Sequence, residues 1–255
     1  MSHAGKIFFI CLCLGVFVLF VSSDEKETEN SYVYLQLLPE GKASIRCILP
    51  ESYKGPLPSF SVGAESKRLM DLRFDGSEYF LGKVKMFPVF VYEAEISVQA
   101  HQKVVAECFG VLGSWIIPDF SQVNIPEHVV IGDTGCKYYE QNCQENLIVE
   151  PSSWNYPLLI RKILSLFGES TGLGKFIIHV GDYIYRGGNG APLDNPIVDL
   201  SRTAHWLDWE KDFFHPSGEA LRNYSWLFVR GNHETYTRNA GLGWFLFFDP
   251  KKASH

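Results

Sequence analysis

The sequence predicts an α/β domain with a β-α-β-α-β parallel sheet, preceded by a small all-β domain. Three observations carry that expectation. Continuous apolar runs at His128-Val-Val-Ile131, Phe176-Ile-Ile-His-Val180 and Trp226-Leu-Phe-Val229 suit parallel strands buried on both faces. Between them lie amphipathic stretches: Ile160, Ile163, Leu164 and Phe167 recur at helical spacing, and Trp206, Trp209 and Phe213 mark a second helix. Upstream of residue 112 no helical period competes with short β-branched and aromatic runs.

Composition narrows the function classes. The chain has 255 residues, 46% hydrophobic and 20% charged, which excludes a disordered tail, a collagen-like repeat and a coiled coil. With 23 basic against 29 acidic residues the net charge is −6, so there is no nucleic-acid-binding footprint.

Residues 1–23 read as a secretory signal peptide. Lys6 precedes an apolar run from Ile7 to Val21, and Ser22 and Ser23 lead into Asp24-Glu25-Lys26-Glu27. The alternative is an uncleaved signal anchor that tethers the chain to a membrane. The run is shorter than the roughly 18–20 residues of a spanning helix, which favours removal and leaves no stable membrane span. The expected location is secreted or extracytoplasmic.

Four cysteines then remain, Cys47, Cys108, Cys136 and Cys143. In an oxidising compartment an even count suggests disulfides, with three possible connectivities. Cys47 with Cys108 is the natural staple of the β domain. A local Cys136–Cys143 pair would pin the loop after the first parallel strand. Asn223-Tyr224-Ser225 is a glycosylation sequon.

Residues 24–111 form the small β domain, with strands expected at Tyr32–Leu38, Ala43–Leu49 and Phe90–Ile96 and breaks at Pro50, Gly55-Pro56, Gly63 and Asp75-Gly76. Residues 112–127, with Pro118 and Pro126, read as a linker. Residues 128–255 form the α/β domain.

The chemistry sits at the strand ends. Each parallel strand runs into a Gly followed by a residue able to bind metal: Gly132-Asp133-Thr134-Gly135, Gly181-Asp182-Tyr183-Ile184-Tyr185 and Gly231-Asn232-His233-Glu234. Ligands of open parallel sheets bind beyond the carboxyl ends of the strands, so the three loops should converge on one edge. Carboxylate, phenolate, amide oxygen and imidazole suit iron, manganese, magnesium or zinc. Asp182 is the central candidate to bridge two ions, and His233 beside Asn232 would protonate a leaving oxygen.

These three motifs, in this order and each after an apolar strand, resemble the calcineurin-like metallophosphoesterase superfamily and most of all its purple acid phosphatase-like branch. The resemblance covers residues 128 to 255 and extends to Arg238 and Gly243-Trp244-Phe245. It implies the metallophosphoesterase fold, a phosphate-ester substrate and hydrolysis by hydroxide held at a dinuclear site. The ions implied are two divalent or trivalent metals, iron with zinc, manganese or a second iron. Asp133 and Tyr185 would share one metal, Asp182 would bridge, Asn232 would bind the second metal and His233 the substrate.

The family also carries three further histidines in a Val-x-x-His and a Gly-His-x-His motif. Here the only histidine after His233 is His255. The domain therefore reads as incomplete at its C-terminus, with an apolar sheet edge left unpaired. The alternative function is a truncated or non-catalytic protein that binds metal or a partner.

Other motifs read as packing or as decoys. His179 in a buried strand suits a hydrogen-bonded core histidine, Tyr183 suits packing, and Glu234 suits ordering of its loop. Trp206, Trp209 and Trp244 suit the core, and His205 and His215 are weak candidates as replacement ligands. Asp133-Thr134-Gly135 also matches the aspartic-protease signature, but no second copy exists to share a proton. Gly168-Glu-Ser170-Thr-Gly172 matches a nucleophile elbow, yet a helix precedes it where a strand is required.

Overall fold

The computed structural model describes residues 30–77, 79–81, 83–121, 127–136, 154–168, 174–185, 205–236 and 238–250. The signal segment 1–23, Cys143, the glycine run 187–190 and His255 lie outside the described residues.

In chain order the strands are β1 (Tyr32–Leu38), β2 (Lys42–Pro50), β3 (Ser59–Val62), β4 (Arg68–Leu69), β5 (Asp71–Asp75), β6 (Phe80–Leu81) and β7 (Val84–Lys85). There follow β8 (Val89–Ser97), β9 (Lys103–Cys108), β10 (Val111–Ile116), β11 (His128–Ile131), β12 (Phe176–His179) and β13 (Ser225–Phe228). The helices are α1 (Tyr156–Gly168), α2 (Trp206–Trp209), α3 (His215–Asn223), α4 (His233–Tyr236) and α5 (Arg238–Phe247). A wide π-helical turn at Glu210–Phe214 joins α2 to α3.

Strands β11, β12 and β13 pair in parallel, with α1 between the first two and α2–α3 between the last two. Four upstream strands form a separate antiparallel sheet, β10-β9-β3-β4, whereas β1, β2, β8 and β5 extend the parallel one. β1 pairs in parallel with β13 through Leu35 and Ser225, then antiparallel with β2, and β8 and β5 follow. One mixed seven-stranded sheet results, in the order β11-β12-β13-β1-β2-β8-β5. The free edge of β13 expected from the sequence is therefore occupied, by β1. Strand β10 takes up the start of the expected linker, because Val111-Leu-Gly-Ser-Trp-Ile116 alternates well enough to pair with β9.

β1 is central and buried on both faces, and its period of two separates two cores. Val33, Leu35 and Leu37 pack with Phe60, Val104 and Trp115 of the second, four-stranded sheet β10-β9-β3-β4. Tyr32 and Tyr34 face an aromatic core with Phe213, Phe214, Phe228, Phe247 and Phe248. The Cys47–Cys108 disulfide ties β2 of the large sheet to β9 of the small one. Closing 61 residues of chain, it removes about 4 kcal/mol of unfolded-state entropy in the loop-closure picture. Among the described residues no helix is long and apolar enough to cross a membrane.

A helix leaves its last carbonyls without partners, and at α5 the large sheet supplies them. Tyr34 Oη and Arg46 Nη1 donate to the Phe247 carbonyl, and Gln36 Nε2 donates to that of Phe248 at 2.9 Å. Arg73 donates to Leu246 at 3.2 Å, Phe245 at 3.1 Å and Asp249 at 2.8 Å. Glu93 balances both cations, accepting from Arg46 Nε at 3.0 Å, Arg73 Nη1 at 2.7 Å and Ser44 Oγ at 2.7 Å. Burial alone would raise the Glu93 carboxyl, but Arg46 and Arg73 outweigh it and hold the group below the ordinary range. This stabilisation is present above the ordinary glutamate pKa and is lost as pH falls through the depressed one.

Glu93→Gln should leave two buried guanidiniums uncompensated and cost about 3–5 kcal/mol in a urea titration at neutral pH. A loss below about 1 kcal/mol would show that the α5 carbonyls alone are sufficient counter-charge.

Candidate functional site

The loops after β11 and β12 leave the sheet side by side. Asp133 and Asp182 both take left-handed backbone angles, with φ of 54° and 60°. Few residues besides glycine tolerate that region, and Asp is one because its short side chain bonds locally. The parallel ladder continues past the strands. Asp133 N–H donates to the Gly181 carbonyl at 3.1 Å, and Thr134 and Gly135 N–H donate to that of Asp182 at 3.0 and 3.3 Å. Gly135 permits this closeness, since a Cβ there would lie 2.6 Å from the Tyr185 ring and 2.7 Å from its backbone nitrogen.

The loop after β13 joins through two carboxylates. Glu234 is fully buried and accepts from the backbone N–H groups of Asp182 at 2.9 Å and of Tyr183 and Gly231 at 2.8 Å. Burial raises its carboxyl above the ordinary range despite those three donors. Asp182 returns the contact, its Oδ1 accepting the His233 N–H at 2.9 Å. A Cβ on Gly231 would lie 2.2 Å from that same oxygen, so this position too must be glycine.

Three of the four metal residues expected from the sequence now meet. Tyr185 Oη donates to Asp133 Oδ1 at 2.6 Å and to Asp182 Oδ2 at 3.3 Å. Burial, followed by the two carboxylates, pushes the phenol well above its ordinary range. The His233 ring lies over Tyr185 with centroids 4.2 Å apart. Asn232 is exposed at the preceding position and stands outside that hydrogen-bonded group.

Among the described residues no three His, Cys, Asp or Glu side chains stand close enough together to hold a metal ion. The convergent donors are instead two carboxylates and a phenol, all oxygen. They suit a hard cation, because the proton that Tyr185 directs at both carboxylates occupies a place where positive charge is favoured. His205 starts α2 and lies 3.6 Å from Asp208, and His215 lines a cavity of about 530 Å³ with Arg161 and Arg222, so both have surroundings other than the carboxylates.

The packing readings hold for several residues. Trp206, Trp209 and Tyr183 are core, with Tyr183 Oη bonded to the Val229 carbonyl at 3.0 Å. Cys136 is disulfide-bonded, its expected partner Cys143 lying outside the described residues, and its N–H donates to buried Asp212 at 3.1 Å. His179 is fully buried and its pKa is pushed down to about 3 by desolvation. It has a polar partner the sequence did not reveal, Thr134 Oγ1, 2.7 Å from Nε2. The available signal was a histidine in an apolar strand, paired with Ile131, with a hydroxyl three residues further along the neighbouring chain.

Two outcomes follow from these contacts. His179 folds neutral, so stability is full above its ordinary pKa of 6.5 and falls as pH drops from there toward about 3. Between pH 6.5 and 5 its share of the slope should approach 1.4 kcal/mol per unit. His179→Asn should flatten that part of a stability-versus-pH curve, and an unchanged slope would mean that His179 is accessible to protons. Gly135→Ala should cost about 1–3 kcal/mol through the forced shift of Tyr185, read by thermal unfolding.

No curated protein matches the chain. Residues 129–253, just under half of it and the part that carries all three loops, match the family model of the calcineurin-like phosphoesterases and are similar to that family.

Proposed function

We propose that the chain is a metal-dependent phosphoester hydrolase whose site is built on Asp133, Asp182, Tyr185, Asn232 and His233. The observation that carries this reading is the convergence of Asp133, Asp182 and Tyr185 oxygens at the carboxyl edge of three parallel strands, inside the segment that matches the phosphoesterase family.

Electrostatics supports the need for a cation. A phosphate ester approaching Asp133 and Asp182 meets like charge, and at a separation of 4 Å each such pair costs roughly 4 kcal/mol near a protein surface. A bound ion would reverse that sign and polarise a phosphoryl oxygen. Asp133, Asp182 and Tyr185 would hold it, and Asn232 would add its amide oxygen from the third loop. Asp182 is already oriented at both ends, by the His233 N–H at Oδ1 and the Tyr185 hydroxyl at Oδ2. Its place between the other two loops supports the bridging role in a dinuclear centre. His233, whose ring lies tilted beside that of Tyr185, would deliver a proton to the leaving oxygen. The phenol among the donors favours the purple acid phosphatase-like branch and iron with zinc, manganese or a second iron. The Cys47–Cys108 disulfide supports a secretory location.

A second reading, a metal-binding protein with little turnover, is favoured by the donor count, since three converging oxygens supply only part of one coordination shell. One experiment separates the two. Asp182→Asn should release more metal on dialysis than Asp133→Asn, by elemental analysis, because Asp182 touches both neighbouring loops. Equal loss would remove the bridging role. Hydrolysis of an aryl phosphate with added iron, manganese or zinc, abolished in His233→Ala, would establish the enzyme, whereas metal binding without turnover would favour the second reading.

A further inference from the structure

Past Val180, whose N–H donates to the Ile131 carbonyl at 2.8 Å, the described backbone bonds between the Asp133 and Asp182 loops run from the first to the second. The N–H groups of Asp133, Thr134 and Gly135 donate, and the carbonyls of Gly181 and Asp182 accept. Nothing in that ladder uses the Gly181 N–H, which is buried and must find an acceptor. It finds the His179 ring, donating to Nδ1 at 3.2 Å. An N–H can be accepted only by a ring nitrogen without a proton, so Nδ1 is bare and the proton of the neutral imidazole is on Nε2. Nε2–H then donates to Thr134 Oγ1, 2.7 Å away, on a side chain that is itself buried. The ring is clamped face-on by Tyr183, with centroids 3.8 Å apart and planes 16° from parallel, and edge-on by Phe213 at 5.6 Å.

We infer that His179 is a positioning residue, whose Nε2-protonated ring locks the Asp133 and Asp182 loops at one spacing. The imidazole takes a hydrogen bond from the residue before Asp182 and gives one to the residue after Asp133. It thereby serves the Gly181 N–H, which the backbone ladder leaves without an acceptor. A rigid ring suits this better than a flexible amide, because the two bonded nitrogens are fixed relative to each other. The tether stands on these contacts alone. Its consequence for metal affinity rests on the function proposed above.

The test uses the full chain, metal-free and then titrated with Mn²⁺. Thr134→Val removes the hydroxyl and leaves the backbone ladder in place. The expected result is displaced Gly181 and Asp182 amide resonances, at least tenfold faster exchange of the Gly181 amide, and Mn²⁺ affinity lower by about tenfold, as for other groups that orient metal ligands. Thr134→Ser, which keeps the oxygen, should restore all three. A merely packed histidine would lower the melting temperature and leave the Gly181 and Asp182 resonances in place, and that result overturns the proposal. Should Thr134→Val fail to fold, the ring nitrogen shifts of His179 in the unmodified chain decide: a proton on Nε2 supports the tether and one on Nδ1 overturns it. If the unmodified chain binds no Mn²⁺, the proposed function fails, while the amide and ring measurements still decide the tether.

Discussion

The contact on which most of the structure depends is the group formed by Arg46, Glu93 and Arg73 beneath the end of α5. Two buried cations face one carboxylate and the negative end of a helix, so the helix dipole and the open carbonyls supply the missing counter-charge. The arrangement binds strands β2, β5 and β8 to the last described helix, across more than 150 residues of chain. It also holds Phe247 and Phe248 in the aromatic core, where Phe248 stacks on Tyr183 at 5.1 Å and Tyr183 stacks on His179 at 3.8 Å. A continuous set of packed rings therefore runs from the upstream strands to the two Asp loops. Contiguity alone does not establish energetic coupling. It does explain why the upstream strands and the site belong to one packed unit.

The position of β1 has the same effect by another route. Parallel pairing with β13 encloses that strand on both sides, between β12 and β1. The loop carrying Asn232 and His233 thus rises from a strand in the middle of the seven, not from an exposed edge. Central strands open less readily than edges, because every opening breaks two ladders and uncovers two apolar faces. Among the described residues, the loop after β11 starts instead from an edge strand paired with β12 alone. Besides its backbone bonds to the Asp182 loop, it is held by side contacts: Trp154 Nε1 to the Thr134 carbonyl at 2.7 Å, the Cys136 N–H to Asp212, and His179 to the Thr134 hydroxyl.

Much of this was legible from sequence, for a clear physical reason. Strands buried on both faces demand unbroken apolar runs, so β11, β12 and β13 show themselves locally, and the residues leaving them mark the site edge. Helical spacing likewise reveals α1 and the burial of Trp206, Trp209 and Phe213. The long-range pairing of β1 with β13 left no such trace, because Tyr32-Val-Tyr-Leu-Gln-Leu-Leu38 would read the same in a separate sandwich. Arg46 and Arg73 were equally opaque. On alternating strands a charged residue ordinarily marks the solvent side, and only the carbonyls of a helix far along the chain turn that side into an interior. Thr134 was hidden because its role is set by a ring on the neighbouring strand, and no local pattern encodes that.

The Asp positions show how two independent demands select one residue type. A left-handed backbone at the end of β11 and β12 favours Gly, Asn and Asp. The donating phenol of Tyr185, and the cation proposed to take the place of its proton, would both favour an anionic oxygen over Gly or Asn. Asp meets both demands, and the glycine before it meets a third. Gly132 and Gly181 carry no Cβ where the Val180 side chain and the Gly231 backbone press closest. The Gly-Asp pairs are thus the common solution of a steric, a conformational and an electrostatic condition. Under the proposed function Gly231-Asn232 on the third loop would meet a lighter version, where an uncharged oxygen is enough. Glycine followed by a residue with a side-chain oxygen recurs at the three parallel strand ends, where the loops leave the sheet side by side.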